Sequence, residues 1–357
     1  MSRKRLKIAV LFGGRSAEHE VSIVSAQAVM AALDTDRFQA VPIGVTKQGT
    51  WLTPPDTERA ITAIRMEKFR ALEEPLGEGI LHRTQALTAL RRIDVVFPLI
   101  HGTNGEDGTL QGFLELAGVP YVGAGVAASA VGMDKALQKA IFRQHGFPVP
   151  DDVVLLASRW RAGQAAAARE VEAAIPYPAF VKPANSGSSI GTSKARSRED
   201  LEEALEEAFR YDRKALVEAA VEGRQVEVAV LGNDEPEASP VGEITYEGEF
   251  YDYRAKYEDP NTQLHIPADI PPQTAEEARD MAIAAYKSVD CAGLARVDFF
   301  LTPQGSLVLN EVNTIPGFTP MSMYPKLWEH AGLSYTSLIT RLIELALERH
   351  EEKRRRV

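Results

Sequence analysis

Residues 295–313 have the sequence ARVDFFLTPQGSLVLNEVN, two apolar segments separated by a short polar one. Apolar side chains at alternate positions indicate β-strands, and residues 302–305 are typical of a tight turn. A four-residue turn predicts that Leu301 lies opposite Ser306. The segment therefore predicts an antiparallel hairpin, and its register follows from the turn.

Four polar side chains share one face of this predicted hairpin. The register places Asp298 opposite Leu309. It also places Arg296 opposite Glu311, and alternation along a strand puts Asn313 on the same face. Charged groups taken out of water must be paired or bound to a metal. Two interpretations stay open here: an ordinary ion pair of Arg296 with Glu311, and a Mg²⁺ site of hard oxygen ligands.

Two further motifs bear on nucleotide binding. Lys182 ends a predicted strand and precedes PANSGSSIG (183–191), a loop of small residues whose backbone N–H groups could bind phosphates. It lacks the P-loop pattern, and a flexible surface hairpin is the alternative. GAGVAA (123–128) matches a dinucleotide fingerprint, but it lies outside the first βαβ unit and residues 141–149 contain no acidic residue. A nicotinamide cofactor is therefore disfavoured.

Composition limits the class of protein. A length of 357 residues predicts two or three domains. The net charge of −10 disfavours nucleic acid as a partner. Cys291 is the only cysteine, which predicts a reducing compartment. No apolar run approaches the roughly 20 residues that span a bilayer. The apolar start runs into Gly13 and predicts a buried strand instead of a signal peptide, so we expect a cytoplasmic protein with no membrane partner.

The first third of the chain predicts an open α/β sheet. Its loops at 13–20 and 101–108 follow strands and are the usual ligand positions in such sheets. Residues 47–90 are an insertion with no predicted role. Three apolar runs predict buried strands: 6–11, 41–45 and 93–100. A helix between the first two strands is predicted from an apolar stripe: Val21, Val24, Ala28 and Ala32.

The middle third predicts an α+β fold with short strands, and the last third carries further predicted strands and amphipathic helices. Ser197 and Asp200 have the spacing of a capping box and predict a helix start. Thr274 and Glu277 have the same spacing and predict another. A predicted helix near the C-terminus ends in HEEKRRR (350–356), where cations complement the helix dipole; a nucleic-acid-binding arm is the weaker alternative.

Seven motifs together resemble those of the D-alanine–D-alanine ligases of the ATP-grasp superfamily, and the resemblance runs from about Lys7 to Leu345. The motifs, in order, are GGRSAEHEVS (13–22), HGTNGEDGTLQG (101–112), GMDK (132–135), VKPANSGSSIG (181–191), FYDYRAKY (250–257), ARVDFF (295–300) and NEVNTIPGFTPMS (310–322). Any one of them would be weak, but seven in order are specific.

The resemblance implies an ATP-grasp fold of α/β and α+β parts. An N-terminal open α/β (pre-ATP-grasp) domain, residues 1–134, is expected on the side of the first D-alanine. A central α+β subdomain, 135–220, carries the phosphate loop. A C-terminal α+β subdomain, 221–357, carries a lid and a metal site, and the two subdomains sandwich ATP.

The implied reaction is the ligation of two D-alanines to D-alanyl-D-alanine for peptidoglycan precursor synthesis. ATP phosphorylates the first D-alanine to an acyl phosphate, the second attacks it, and ADP and phosphate are released. The resemblance favours metal at the hairpin: Asp298, Glu311 and Asn313 would hold two Mg²⁺ or Mn²⁺ ions. K⁺ is a further expected activator. Arg296 would stabilise the acyl phosphate and the tetrahedral intermediate, a task that suits a planar fork.

Further residues are assigned to ATP by the same resemblance. The phosphate contacts are expected at Lys135, Lys182, Ser188, Ser189 and Lys256. The adenine is expected along Glu218, Ala220 and Val221. The ribose position holds Gln225 where the family usually has a glutamate, so we expect retained ATP use with altered affinity.

The D-alanine contacts follow in the same way. Glu18 would bind the ammonium group of the first D-alanine, with His101 nearby. Ser188 and Tyr257 would bond with Glu18 and relay a proton from the attacking amine. Lys256 and Arg296 are further substrate contacts, and the second substrate is expected near Gly317 and Ser322.

Two alternatives remain at the level of sequence. A D-alanyl-D-lactate ligase would lack the tyrosine of FYDYRAKY, so this motif favours the dipeptide. A nucleotide-binding regulatory protein without turnover is disfavoured by the intact set of lysines and metal ligands. By resemblance, a homodimer formed through the first domain is expected.

Overall fold

The structure, a computed structural model, describes residues 4–66, 88, 90–246 and 261–356, and these residues form three sheets. The strands are β1 (Leu6–Gly13), β2 (Phe38–Val45), β3 (Val95–Pro98), β4 (Asp152–Leu156), β5 (Ala179–Pro183), β6 (Ser193–Ala195), β7 (Lys214–Ala219), β8 (Arg224–Gly232), β9 (Glu237–Thr245), β10 (Gln263–His265), β11 (Gly293–Leu301) and β12 (Leu307–Asn313).

Helices cover these sheets. The described helices are α1 (His19–Ala32), α2 (Pro54–Met66), α3 (Thr109–Ala117), α4 (Val126–Met133), α5 (Lys135–Gln144), α6 (Ala157–Ala162), α7 (Gln164–Ala174), α8 (Arg198–Tyr211), α9 (Pro272–Ser288), α10 (Met323–His330) and α11 (Tyr335–Arg355). Within the described ranges, no helix is long and apolar enough to cross a membrane.

The first sheet is parallel, with the order β2-β1-β3, and it confirms the α/β sheet that the sequence predicted for the first third of the chain. Its central strand β1 is apolar on both faces, as expected where helices cover a parallel sheet. Alternate residues such as Ile8 and Val10 pack in the core that includes α1 and α11, whereas Ala9 and Leu11 pack in a second core on the other face. The carboxyl end of β1 leads into the loop that precedes α1.

The predicted apolar stripe of α1 is wrong, because Val24 is exposed and Val21, Ala28 and Ala32 are only partly buried. The buried face carries Ile23, Ala26 and Val29 together with three polar residues, His19, Ser22 and Ser25. The Nδ1 atom of His19 lies 2.7 Å from the Gly14 oxygen. The Ser22 hydroxyl accepts the Gly13 N–H and donates to the Leu99 oxygen. These bonds to the strand-end loops turn polar side chains inward and rotate the helix away from its predicted face.

The second sheet is antiparallel, with the order β4-β7-β5-β6. Helix α8 covers it, and its predicted cap is confirmed: the Ser197 hydroxyl accepts the Asp200 N–H at 3.2 Å. The Asp200 carboxylate accepts the N–H of Arg196, one residue before the cap. On the apolar face of α8, Leu201 and Leu205 are fully buried.

The third sheet is antiparallel, with the order β10-β9-β8-β11-β12, and α9 packs against it. The capping box predicted from Thr274 and Glu277 is wrong, because α9 begins at Pro272 after Pro271 and has no side-chain cap. Proline has no N–H that needs an acceptor, and its fixed φ suits the first turn of a helix. The helix therefore begins two residues before Thr274.

The β11–β12 hairpin forms as predicted, but its register differs. Leu301 pairs with Leu307 because the loop has five residues, closed by the Thr302 N–H on the Ser306 oxygen. A bulge beyond Phe299 then shifts the pairing once more, so Asp298 lies opposite Glu311. Each one-residue shift moves side chains to the other face, and two shifts restore the original face.

The corrected pairs therefore keep the predicted polar side chains on one face. Arg296 lies opposite Asn313, not opposite Glu311, and Asp298 lies opposite Glu311, not opposite Leu309. On the neighbouring strand β8, Glu227 lies opposite Asp298. Three carboxylates consequently occupy one row across three strands, directly beside a guanidinium.

Candidate active site

A cleft of about 1100 Å³ lies between the three sheets and gathers the predicted site residues. Those that line it are Glu18, His101, Lys135, Lys182, Ser188, Ser189, Glu218, Ala220, Val221, Gln225, Arg296, Asp298, Glu311, Asn313, Gly317 and Ser322. Lys256, Tyr257 and the whole FYDYRAKY motif lie outside the described residues. Residues from the first, middle and last thirds of the sequence thus meet in one cavity.

A buried ionic group forms one wall of the cleft. Glu218 on β7 is paired with Lys182 at 2.6 Å through one oxygen and with Lys139 at 3.1 Å through the other. Burial alone would raise the pKa of Glu218, but the two ammonium groups outweigh it and lower the pKa to about 2. Two cations against one carboxylate leave this wall with excess positive charge.

Lys139 is a residue that the sequence reasoning missed. It is almost fully buried, pairs with Glu218 and donates to the Asn310 oxygen at 3.3 Å. Burial lowers its pKa, an effect that Glu218 opposes. It lies four residues after Lys135, so both lysines lie on one face of α5. That spacing was the available signal.

The small-residue loop after β5 lies over the cleft. Lys135 donates to the Ser186 oxygen at 2.7 Å, which ties α5 to this loop. Ser188 and Ser189 have φ of 49° and 57°, left-handed values that a non-glycine residue adopts only where its surroundings impose them. A Cβ on Gly187 would lie 3.4 Å from the Glu18 Oε2 atom. The loop therefore approaches Glu18 from across the cleft.

The hairpin presents its row of acids to the cleft beside Arg296. The guanidinium donates two bonds of 2.7 Å to Asp298, and its Nε atom lies 3.0 Å from the Glu227 carboxylate. Sequence reasoning missed Glu227, which is buried and lines the cleft. Alternation along β8 was the signal, since Glu227 follows Gln225 by two positions. Arg296 is thus held by two carboxylates on one side.

The donor set at the hairpin suits a hard cation shared with phosphates. Asn313 donates its amide N–H to Asp298 at 3.0 Å, and its carbonyl oxygen is a hard donor like the carboxylates of Asp298 and Glu311. Across the described ranges, no three His, Cys, Asp or Glu side chains form a metal site by themselves. Mg²⁺ commonly completes its shell with substrate phosphates, so two carboxylates and one amide fit such a cation.

Glu18, His101 and Glu106 form the opposite wall. His101 is buried; its Nδ1 atom lies 3.1 Å from the Ile315 oxygen, and its Nε2 atom has no hydrogen-bond partner among the described residues. Burial, together with the smaller effect of the nearby Glu18, raises the pKa of Glu106 to about 7, although His101 and the two backbone N–H groups bonded to this carboxylate oppose the shift. Glu106 lies within HGTNGEDG, but the sequence reasoning assigned it no role.

The loop before α10 supplies Gly317 and Ser322. The Ser322 hydroxyl accepts the Thr319 N–H at 3.1 Å and lies 2.8 Å from the Thr319 hydroxyl. A Cβ on Gly317 would lie 3.1 Å from the Ser322 hydroxyl oxygen, tighter than ordinary contact. The close packing of glycine against serine therefore fixes the shape of this loop where it meets the cleft.

The predicted adenine and ribose positions lie at the other end of the cleft. The Ala220 N–H donates to the Pro178 oxygen, so this N–H is already used in a hydrogen bond within the protein. Gln225 donates to the Tyr246 hydroxyl at 3.0 Å. Phe180 and Leu264 also line this end and add apolar surface. A polar edge with apolar neighbours is the kind of lining that a nucleobase takes.

Comparison with known families covers most of the chain. The model described as D-ala D-ala ligase N-terminus matches residues 7–124, and the one described as D-ala D-ala ligase C-terminus matches residues 141–344. Two intervals thus match the two halves of one family in the expected order.

Relatives match over nearly the whole length. A D-alanine–D-alanine ligase of Geobacillus thermodenitrificans is 48% identical over 354 residues, covering 98% of this chain and 97% of the relative. One of Deinococcus radiodurans is 49% identical over 346 residues, covering 96% and 98%.

Solved structures give the same result. The D-alanine–D-alanine ligase of Coxiella burnetii superposes with a TM-score of 0.81 at 37% identity, covering 99% of this chain and 97% of the other. The VanG D-Ala:D-Ser ligase of Enterococcus faecalis superposes with a TM-score of 0.79 at 36% identity, covering 96% and 100%.

Proposed function

The chain belongs to the D-alanine–D-alanine ligase family, and we propose that it joins two D-alanine molecules into D-alanyl-D-alanine while ATP is converted to ADP and phosphate. The observation that carries the proposal is the full-length similarity to D-alanine–D-alanine ligases. The ATP-grasp fold is shared with the solved ligases. The cleft of clustered lysines and carboxylates adds chemical support.

The chemistry requires an activated carboxylate. A free carboxylate is a poor electrophile, and an oxide or hydroxide is a poor leaving group. Transfer of the γ-phosphoryl group of ATP to the first D-alanine gives an acyl phosphate. The amine of the second D-alanine attacks its carbonyl carbon, and phosphate leaves from the tetrahedral intermediate as the peptide bond forms. The amine also loses a proton.

Cationic side chains account for phosphate binding in this proposal. Lys135 and Lys182 would contact the phosphates, with Lys256 near the transferring group. Lys139 and Lys182 share the single carboxylate of Glu218, which leaves one positive charge in excess. A bound polyphosphate would balance this charge, which supports the role. Ser188 and Ser189 would add hydroxyl and backbone donors from the loop. Positively charged donors fixed before the reaction stabilise charge as it moves towards the leaving ADP.

The hairpin would hold two divalent cations through Asp298, Glu311 and Asn313. When bound, Mg²⁺ or Mn²⁺ neutralises charge on the ATP phosphates. Arg296 would stabilise the oxyanion of the tetrahedral intermediate. Its planar fork is already oriented by Asp298 and Glu227, which reduces the ordering needed at the moment of reaction.

Substrate binding is assigned to the opposite wall and to the 317–322 loop. Glu18 would bind the ammonium group of the first D-alanine, and the His101 Nε2 atom would face the same substrate. This nitrogen is buried and has no hydrogen-bond partner in the part of the chain that the structure describes, which supports this role. Ser188 and Tyr257 would relay the proton of the attacking amine to Glu18. Gly317 and Ser322 would contact the second substrate.

The product would enter peptidoglycan precursor synthesis, as the family implies. We further propose a cytoplasmic homodimer, supported by the single cysteine and by the resemblance of the first domain. Light scattering on the purified chain measures this directly. A monomer at micromolar concentration would contradict the dimer.

The deciding experiment is D-alanine-dependent phosphate release from ATP and Mg²⁺, with and without K⁺, and mass analysis of the product. We expect D-alanyl-D-alanine, with release abolished by Asp298→Asn. Mixtures of D-alanine with D-lactate or with D-serine test the second substrate at neutral pH. A predominant ester or D-alanyl-D-serine product would overturn the assignment, and ATP binding without any release would favour a regulatory protein.

A further inference from the structure

Glu106 is held inside the loop between β3 and α3 by backbone geometry. The loop turns tightly: Gly102 and Asn104 have positive φ, and a Cβ on Gly105 would lie 2.0 Å from the Ile100 oxygen, so no larger residue fits there. This turn directs the Glu106 carboxylate back to its own loop, where Oε2 accepts the Gly102 N–H at 2.6 Å.

The other oxygen of Glu106 reaches a distant part of the chain. Its Oε1 atom accepts the N–H of Ile315 at 3.2 Å. Ile315 follows β12 and is 209 residues away in sequence. The Ile315 oxygen lies 3.1 Å from the Nδ1 atom of His101. The first domain thus bonds the N–H and the carbonyl oxygen of the same residue.

These bonds set the distance between two walls of the cleft. His101 lies on one wall, with its Nε2 atom buried and free of described partners. On the other, Ile315 is two residues before Gly317, which packs against Ser322. Both ends are assigned to D-alanine above. The bonds of Glu106 therefore fix one end of the substrate pocket relative to the other.

We propose that Glu106 is a positioning residue of the D-alanine pocket: its carboxylate clamps the Ile315 backbone to the His101 loop and so holds the two D-alanine subsites at working separation. This inference rests on the proposed function. Glu106 acts through His101 and the 315–317 backbone, and the ATP end of the cleft is formed by other elements.

The choice of a carboxylate follows from the donors it meets. The Gly102 and Ile315 N–H groups both require acceptors, and an ionised carboxylate is acceptor-only on both oxygens. A glutamine would direct an NH₂ group at one of these donors. The fold keeps an acid here although burial and Glu18 raise its pKa. A requirement for two acceptors explains why an acid is retained.

The test compares Glu106→Gln with Asp107→Asn. Asp107 also accepts two backbone N–H groups, from Asn104 in its own loop and from Thr109, the first residue of α3, so both of its bonds are local in sequence. We expect Glu106→Gln to raise the KM for D-alanine about tenfold or more, the usual effect of losing a hydrogen bond to a charged group. We expect the KM for ATP to change by less than about twofold, and Asp107→Asn to leave both values near the wild-type ones.

Amide hydrogen exchange gives a readout that does not depend on turnover. The Ile315 N–H should be protected in the wild type and in Asp107→Asn, and should exchange faster in Glu106→Gln. If Glu106→Gln does not fold, Glu106→Asp keeps the charge on a chain one methylene shorter, and should lose Ile315 protection while retaining the bond to Gly102.

Several outcomes would overturn the proposal. One is an unchanged KM for D-alanine in a Glu106 variant whose Ile315 amide has lost protection. Another is an equal effect of Asp107→Asn, which would indicate general loosening of the loop. An unprotected Ile315 amide in the wild type would deny the clamp itself. If the wild type releases no phosphate with D-alanine although Ile315 is protected, the proposed function fails, and the substrate role of Glu106 fails with it.

Discussion

The raised pKa of Glu106 makes folding stability depend on pH. Its folded value is about 7 against an ordinary 4.5, so between these values the folded state binds more protons than the unfolded state. The stabilisation is complete below about pH 4.5 and is lost as pH rises through about 7. The titratable groups that face Glu106 are His101 and Glu18.

We therefore expect the Tm of the wild type to fall more between pH 5 and 8 than that of Glu106→Gln, which carries no ionisable group there. Differential scanning calorimetry of both proteins across this range measures the effect. Parallel curves would show that Glu106 titrates at its ordinary pKa. The bonds of Glu106 to the Gly102 and Ile315 N–H groups need the ionised carboxylate. D-alanine binding should therefore be favoured at a higher pH than folding stability is.

Gln225 departs from the glutamate that the family resemblance leads us to expect. In place of the usual glutamate, a neutral amide bonded to Tyr246 occupies the predicted ribose position. We expect Gln225→Glu to lower the KM for ATP several-fold, because hydrogen bonds to a charged acceptor are roughly twice as strong. The Tyr246 hydroxyl could then donate to the new carboxylate. An unchanged KM for ATP would show that the departure is silent.

Lys139 tests the buried ionic group. The side chains of Lys139 and Glu218 are both almost fully buried. Lys139→Met leaves Glu218 with Lys182 as its remaining ammonium partner. Removing one partner of a buried pair should lower the free energy of unfolding by about 3 kcal/mol, and the displaced Glu218 should raise the KM for ATP. Arg159→Met, at an exposed pair with Glu170, is the control and should cost less than about 1 kcal/mol. Equal losses in urea unfolding would contradict this account.

Single residues differ in how far sequence reveals them. Asp298 and Glu311 were predictable because charged side chains interrupt apolar strands. Lys139 was not, since one lysine on a helix is usually solvent-exposed and only the fold brings Glu218 against it. Glu106 was equally hidden: its partner Ile315 is 209 residues away and contributes only backbone atoms, which carry no side-chain signal.

At the scale of elements, the small-residue loop 183–191 depends on Gly191. Its φ is +72°, and a Cβ would lie 2.6 Å from the Tyr211 ring and 2.8 Å from the Pro183 ring. Gly146 also has a positive φ, +79°, but nothing lies within 4 Å of its would-be Cβ. A side chain at Gly146 would cause backbone strain alone, whereas one at Gly191 would cause backbone strain and a steric clash.

Gly146→Ala should cost about 1 kcal/mol of unfolding free energy, the strain of a left-handed residue. Gly191→Ala should cost clearly more and also raise the KM for ATP, because the Pro183 ring cannot yield and the loop must shift. Thermal unfolding and ATP kinetics of both variants decide this. An unchanged KM for ATP in Gly191→Ala would show that the loop does not need its described shape.

The hairpin and α1 show what sequence patterns resolve within an element. The strands of the hairpin were predictable from alternation, but the loop and bulge each added one residue, and neither changes the apolar pattern. Arg296, Asp298, Glu311 and Asn313 still share one face, because two one-residue shifts restore the original alternation. On α1, hydrophobicity favoured Val24, whereas the hydrogen bonds of Ser22 to Gly13 and Leu99 decided the buried face. Such bonds are tertiary and leave no periodic signal.

At the scale of the whole molecule, the α/β sheet of the first third and the α+β fold of the middle third were predictable from apolar runs and helix signals. Their meeting in one cleft came from the resemblance, because spacing alone does not set how sheets face each other. The contacts between them include backbone approaches: a Cβ on Gly293 would lie 3.0 Å from the Gly123 nitrogen. Such contacts between glycines have no hydrophobic signature in the sequence.

The terminal helix joins the last part of the chain to the first. Arg349 donates to the backbone oxygens of Tyr121 and Gly123, and its guanidinium lies 4.6 Å from the centre of the Tyr121 ring. Lys353 pairs with Glu115 on α3. The basic end of α11 thus contacts residues 115–123 in addition to complementing the helix dipole.

Arg349→Met should therefore lower the free energy of unfolding by about 2 kcal/mol, because two carbonyl oxygens lose a charged donor and Tyr121 loses its cation. Arg355→Met is the matched control: Arg355 is on the same helix, is exposed and pairs only loosely with Glu351 at 3.8 Å, so its loss should leave stability unchanged. Urea unfolding of both variants gives the comparison. Equal stability of Arg349→Met and Arg355→Met would show that the helix dipole, and not the contact with Tyr121 and Gly123, accounts for the basic end.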